Sequence, residues 1–540
     1  MRKNTIKKAI IILILTLISL TISYSICEHI AFNSGLTIQQ KIENKLFRII
    51  FMSYTIFLII AWSGIVECVN KIKNKDRHAI VFLKHFLIYF SIMFVLLLIM
   101  WPGHWVWDEL YVIKYTETYS IFMWQSVITQ IYYAIALLIF PNVVSIVILQ
   151  VILISLVIAY IQMKVETIYN KKIFNIILYI LLLLPAVIIN NIYILRLPMY
   201  SYILLLFFAI VLFNYIEKKK FTTKKIIFLI LLSIIITLWR SEGMIFIIFI
   251  PAIMAFSYKD IKEAVKIAGI FFIALIISYV SFNKIFEENE DKSYSLLVYV
   301  NPLSNMLQEN LELDEEDLKT IDKVMDVELI KQNPSYTETP SYWTGNLIRE
   351  NYKNNLEGVT KSYAKIILKN PVSFMKARLA TFFASSGMDK KVIPQVENRF
   401  LYHLSGLEKN EFIQQFCDEH KSLNSLFKDL KIGIESFLIG ENVVNENQNQ
   451  FVKVVFWNFI PVLIGIFIIG IFSIIKKKWL IALLSIALLA KSAIVFLTAP
   501  ASYFMYYFPE YITGFVLICI TIYEKNSGKE YENDRITKEK

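Results

Sequence analysis

Apolar runs recur along almost the whole chain and leave one polar stretch of domain size. They fall at roughly 9–27, 47–68, 84–101, 143–163, 173–191, 199–217, 225–240, 243–257, 265–283, 451–475, 479–497 and 503–523. A helix rises about 1.5 Å per residue and needs about 20 residues to cross a hydrocarbon core of about 30 Å, so each run predicts a crossing. The runs at 225–240 and 243–257 are short. Basic loops flank them on both sides, which marks a hairpin turning at Trp239–Gly243. The N-terminal MRKNTIKK and the run behind it read as a retained first span, because no A-x-A cleavage site follows and Ile26 is a poor neighbour for a lipoprotein Cys27.

One further run, 122–140, is placed by charge. With Arg2, Lys3, Lys7 and Lys8 in the cytoplasm, the loop of Lys71, Lys73, Lys75 and Arg77 is also inside. If 122–140 crossed, Lys171 and Lys172, Lys218–Lys225, Lys259–Lys266 and Lys476–Lys478 would all lie outside. The positive-inside rule therefore makes 122–140 an interfacial or re-entrant helix on the outer face. Its Trp124, Gln125, Gln130, Tyr132 and Tyr133 suit headgroup depth.

The expected architecture is an all-α, multi-pass membrane protein with about twelve transmembrane helices, outer interfacial helices and a mainly helical extracytoplasmic insert. Residues 1–83 form N-terminal membrane helices, and 84–283 a membrane core with outer loop 102–121 and interfacial helix 122–140. Residues 284–450 form the extracytoplasmic domain, 451–523 the C-terminal membrane helices and 524–540 a cytoplasmic tail, so both termini are cytoplasmic. Within the insert, Leu311–Ile330 has helical spacing. Asn370-Pro371 opens a basic amphipathic stretch, Val372–Phe383, whose Lys376 and Arg378 suit a membrane surface.

Composition narrows the class. With 56% hydrophobic and 18% charged residues among 540, a soluble enzyme is excluded. The net charge of +11 sits in short loops, where it reports orientation rather than nucleic-acid binding. Four scattered cysteines give no disulfide framework or metal-type pair, and six scattered histidines give no H-E-x-x-H helix. No P-loop or Rossmann glycine pattern offers a nucleotide site. Richness in Ile, Lys and Asn suggests an AT-rich bacterial genome and hence a bacterial plasma membrane.

Candidate chemistry lies where the outer loops meet hydrocarbon. In Trp101–Tyr111 the acids Asp108 and Glu109 follow directly on an apolar run. A carboxylate there can take a proton from an attacking hydroxyl, while His104, Trp105 and Trp107 supply a wall for a sugar. Asp108 is the stronger candidate; Glu109 is its partner, a metal ligand or a solvated neighbour. In Trp239-Arg240-Ser241-Glu242-Gly243, Arg240 suits bidentate phosphate recognition or simply pairs with Glu242. Arg196 is a second outer cation, suited to a lipid phosphate or to interfacial anchoring. Glu510 and Lys491 fall within runs and must face the protein interior, while Tyr506 and Tyr507 are either belt aromatics or pocket residues.

These motifs together resemble the GT-C superfamily of polytopic glycosyltransferases, typified by protein O-mannosyltransferases and the lipid A aminoarabinose transferase. The first outer loop of its bacterial members reads like P-G-x-x-x-x-D, matched by Pro102-Gly103-His104-Trp105-Val106-Trp107-Asp108. An R-x-E-G turn is matched by Arg240-Ser241-Glu242-Gly243, and the outer Asn301-Pro302-Leu303 and Lys369-Asn370-Pro371 are also similar. The resemblance implies an inverting transfer of sugar from a polyprenyl-phosphate donor to a glycan, lipid or protein acceptor, with no nucleic-acid partner. It makes Asp108 the catalytic base with Glu109 beside it, Arg240 and Arg196 the donor-phosphate ligands, and His104, Trp105, Trp107, Glu242, Tyr506 and Tyr507 pocket residues. Two departures stand out. Arg196-Leu197-Pro198-Met199 has Leu197 where the superfamily often has a second acid, and three spans precede the loop instead of one. The missing acid leaves the need for a divalent metal open. Rival readings of the same topology are a cell-envelope polysaccharide polymerase or ligase and a lipid-linked oligosaccharide flippase or transporter. Only 15 glycines and acids placed mostly at the interfaces argue against the last.

Overall fold

The computed structural model describes residues 35–122, 126–289, 292–339, 346–392, 411–441 and 449–538, together with Leu13, Ile14 and Leu17. The expected first crossing, 9–27, lies otherwise outside the described residues, as do Trp124 and Gln125. Every element described is helical, and the β contacts there are two isolated bridges, His104 with Tyr193 and Met325 with Ile348. Apolar surroundings dictate this. A segment that water cannot reach has to satisfy its own N–H and C=O groups, and a helix does so within one segment.

After a short helix, Ile38–Glu43, come α1 (Lys45–Lys73) and α2 (Arg77–Ile99). The short α3 (Trp107–Glu117) and α4 (Val127–Ile139) come next, then α5 (Ser145–Tyr169). A bent pair, α6 (Lys172–Leu182) and α7 (Pro185–Asn191), leads to α8 (Arg196–Ile216). After α9 (Thr223–Trp239), a 3-10 turn Ser241–Ile245 passes into α10 (Phe246–Phe256) and α11 (Ile261–Phe286). The insert holds α12 (Leu297–Met306), α13 (Glu315–Asp322), α14 (Val327–Gln332), α15 (Val359–Lys369), α16 (Pro371–Ser385), α17 (Glu411–Glu419) and α18 (Lys428–Ile439). The last helices are α19 (Gln450–Phe456), α20 (Ile460–Ile475), α21 (Trp479–Thr498) and α22 (Phe508–Lys538).

Among the described residues eight helices are long and apolar enough to cross a membrane, and the bent pair makes up to nine. The 173–191 run, expected as one crossing, is broken by 68°. Pro185 is the cause: it has no N–H to donate and pushes Leu184 out of helical geometry, to φ −63° and ψ 150°. The two runs expected to form a transmembrane hairpin are α9 and α10, of 17 and 11 residues, and neither is among the helices long and apolar enough to cross. The turn between them needs Gly243, where a Cβ would stand 2.2 Å from the Ile236 carbonyl oxygen.

Helix α4, of 13 residues, rises only about 20 Å, too little to cross. Its polar residues turn inward instead of meeting headgroups. The Gln130 amide accepts the Phe122 N–H at 2.9 Å and donates to Ser120 O at 2.8 Å. The Tyr133 hydroxyl donates to Ile194 O at 2.9 Å and that of Tyr132 to Ile146 O at 3.3 Å. A tyrosine is buried comfortably where its hydroxyl finds a carbonyl.

One apolar core joins the crossings, with α2 against α5, α8 against α22, and α20 against α21 and α22. The insert builds a second core from Val300, Leu303, Ile321, Ile330, Val359 and Ile366. It is tied to the bundle by Arg378 of α16, which is only 1% exposed. Its Nε donates to Phe496 O at 2.6 Å, and its Nη1 to Ala499 O at 3.0 Å and to Asn301 Oδ1 at 3.5 Å. Sequence spacing had set Arg378 on a basic membrane face. The reason it turns inward is that the last carbonyls of α21 lack helical partners, and a guanidinium offers five donors to meet them.

Replacing Arg378 with Leu leaves these acceptors unpaired and is expected to cost about 2–5 kcal/mol, read as a fall in the unfolding midpoint in detergent. Lys376→Leu removes an exposed ion pair with Glu309, 3.3 Å long. It is expected to change stability by under about 1 kcal/mol.

Candidate functional site

The loop after α2 is shaped from both sides. Gly103 has φ +92°, and a Cβ on it would stand 2.5 Å from Ile192 O. The next residue, His104, donates its N–H to that same carbonyl at 3.0 Å. From the insert, the Lys431 ammonium group donates to Gly103 O at 3.0 Å and to Trp101 O at 3.3 Å. Held this way, the loop delivers the first turn of α3.

That turn separates the two acids. Glu109 is buried, and its Oε2 accepts the Val106 N–H at 2.9 Å, so it caps its own helix. Asp108 lies half-buried in the same turn, where the helix dipole favours a carboxylate. Of the pair, Asp108 is the one that solvent reaches.

Two breaks between helices bring the arginines to it. Arg196 opens α8, and Arg240 stands extended between α9 and the 3-10 turn. The groups whose charge acts on Arg196 are Arg240, Tyr294, Glu242 and Asp108. Arg240 forms an ion pair with Glu242 through Nε, and its guanidinium carbon lies 5.9 Å from the centre of the Tyr506 ring, within cation–π range. Lys491 of α21 stands 4.0 Å from Glu242 Oε1 and 3.1 Å from Glu510 Oε1 of α22. Tyr200, also under the influence of Glu242, Arg240 and Glu510, is buried, and its hydroxyl has no hydrogen-bond partner among the described residues.

Exposure divides this cluster into a lip and a floor. Asp108, Arg196 and Tyr506 are partly accessible, while the side chains of Arg240 and Glu242, together with Tyr200, Lys491 and Glu510, are buried. The result is a polar crevice in which Asp108 and Arg196 are accessible and the Arg240–Glu242 pair is buried. Paired through Nε, Arg240 keeps its two terminal nitrogens for a planar oxyanion. Among the described residues no group of three His, Cys, Asp or Glu side chains stands ready for a metal ion.

The other expected pocket residues belong to the framework. Trp105 is buried, and its indole N–H donates to Pro102 O at 3.0 Å. His104 is buried 3.5 Å from Glu435 of α18. The Tyr507 ring stacks on Phe459 at 4.0 Å, between α20 and α22. Leu197, at the position of the missing acid, is fully buried in the first turn of α8. The Trp107 side chain lies outside the described residues.

Sequence reasoning missed the clasp made by residues 411–441. Lys431 and Glu435 are both buried, and burial drives the amine well down and the carboxyl up to about 9, toward two neutral groups. A K-x-x-x-E spacing on a short amphipathic helix reads as a surface pair, so nothing local signalled this. Nearby, the Trp101 indole donates to Ser422 O at 2.9 Å and Phe412 stacks on Tyr111 at 4.6 Å. Glu117 at the end of α3 lies 3.8 Å from His420. Burial pushes Glu117 up to about 8 against the pull of Lys114 and with a push from Glu419. Burial also pushes His420 down.

The raised Glu117 carboxyl contributes stability that is complete below about pH 4.5 and is lost as pH rises through about 8. Lowered His420 acts only below about pH 6.5, with the opposite slope. Between pH 6.5 and 8 the Glu117 contribution is expected to fall by about 2 kcal/mol. Chemical unfolding across that window should show Glu117→Gln losing less stability than wild type. Equal slopes would show that the carboxyl is already ionised at pH 6.5.

No protein-family model, curated protein or solved structure matches the chain.

Proposed function

We propose that the protein is an inverting glycosyltransferase that moves a sugar from a polyprenyl-phosphate donor to an acceptor at the outer face of a bacterial plasma membrane. The observation that carries this reading is the electrostatic grouping of Asp108, Arg196 and Arg240, with Asp108 and Arg196 partly accessible and the Arg240–Glu242 pair buried. The resemblance of the Pro102–Asp108 loop and the Arg240–Gly243 turn to the GT-C superfamily supports it. The donor's tail lies in lipid, and its phosphate sits between the guanidinia of Arg196 and Arg240. A hydroxyl of the acceptor, whether glycan, lipid or protein, attacks the anomeric carbon and breaks that carbon's bond to the phosphate oxygen. Asp108 takes the hydroxyl proton, and the phosphate leaves with the electron pair, its charge stabilised by the arginines. A single displacement of this kind inverts the sugar.

The same reading sets about twelve crossings, both termini in the cytoplasm and residues 284–450 outside, where they select the acceptor. The lysine clusters support this orientation. Asp108→Asn is expected to reduce transfer at least about 100-fold with an unchanged amount of protein in the membrane. Mass spectrometry of envelope glycans checks it: a sugar absent from cells lacking the protein returns with wild type and not with the variant. Full restoration by Asp108→Asn, with loss in Arg240→Ala, would point to an arginine-based polymerase or ligase instead. For orientation, a cysteine placed at Lys331 is expected to react with a membrane-impermeant maleimide on intact cells, and one at Lys219 to stay unlabelled. The reverse pattern would refute the topology.

A further inference from the structure

The insert shows an apolar face that its own core does not use. On α16, Val372 is 68% exposed, Met375 45%, Leu379 38% and Phe383 43%. At about 100° per residue these four fall within an arc of about 80°. The opposite side of the helix, with Phe374, Arg378 and Thr381, is buried against the insert and the bundle. A continuous stripe of this width on one helix is a contact surface, not scattered exposure.

The neighbours of α16 say what covers it. Its Phe382 ring meets Phe459 at 5.3 Å and Phe496 at 5.7 Å, residues at the start of α20 and near the end of α21. Just past α16, the carbonyls of Asp389 and Val392 accept from the Lys453 ammonium group at 2.7 and 3.0 Å, which fixes the chain against α19. That helix opens the crossing Gln450–Ile475, and its own Phe451 and Val455 are exposed. The stripe therefore runs on into the lipid-facing surface of a crossing, at the level where α21 ends. Exposed Lys376 stands beside it, as a cation beside a headgroup layer would.

We infer that α16 is an in-plane membrane helix, seating the insert on the lipid bilayer through Val372, Met375, Leu379 and Phe383. The insert is then half-embedded at the mouth of the bundle, and its height above the crevice is set by lipid as well as by Arg378. This holds whatever reaction the crevice performs.

The test uses the full chain with Cys27, Cys68, Cys417 and Cys519 replaced by Ala, in vesicles of phosphatidylethanolamine and phosphatidylglycerol. Single cysteines at Val372, Leu379 and, as a polar control on α15, Lys361 carry an environment-sensitive fluorophore. Val372 and Leu379 are exposed, so the substitutions leave packing intact. Labels at these two positions are expected to be quenched several-fold more by lipids with a shallow nitroxide than by aqueous iodide, and the Lys361 label the reverse. Strong iodide quenching at Val372 and Leu379 would overturn the inference. So would protection from both quenchers that disappears at one protein per vesicle, since a second copy would then be the occupant.

Discussion

Lys491 is one cation between two buried carboxylates, and the polar centre of the molecule rests on it. Without it Glu510 would be left uncompensated in an apolar bundle, at a cost of several kcal/mol, and Glu242 would keep only Arg240. With it, α21, α22 and the turn after α9 are drawn to one point. Glu242 in turn orients Arg240. The lip of the crevice is thus built by early helices and stabilised by the last two, which accounts for the return of the C-terminal chain to pack against α8.

The second constraint comes from the outer insert. The loop leading to Asp108 is pressed onto the backbone at Ile192 from one side and held through its carbonyls by Lys431 from the other. Burial lowers the Lys431 amine's pKa, while its donors meet the two loop carbonyls. The insert therefore contributes to the geometry of the crevice through the backbone of the Asp108 loop.

What the sequence revealed and what it hid follow physical lines. Runs of apolar residues fix helices directly, because hydrocarbon leaves the backbone no alternative, so the helical class was legible; of the twelve expected crossings, eight or nine are long and apolar enough among the described residues. Pro185 was visible, yet a break within one run looks the same as a tolerated kink until its neighbours are known. Asp108, Arg196 and Arg240 drew notice in the sequence because charge beside hydrocarbon is expensive and so conspicuous. Arg378, Lys431 and Glu435 did not, because polar residues on an amphipathic helix of a water-facing segment look ordinary. Their burial is decided by helices more than a hundred residues away. Gln130 and Tyr133 misled for the complementary reason: residues suited to a headgroup layer are equally suited to a core that offers them carbonyls.

Both short motifs of the crevice contain a glycine. Gly103 and Gly243 each lie against a main-chain carbonyl oxygen too close for any side chain. They record how tightly two pieces of backbone cross. A related chain with other residues at positions 108 and 240 would still need both glycines to fold. The glycines are thus a signature of the fold, independent of whatever the charged residues beside them do.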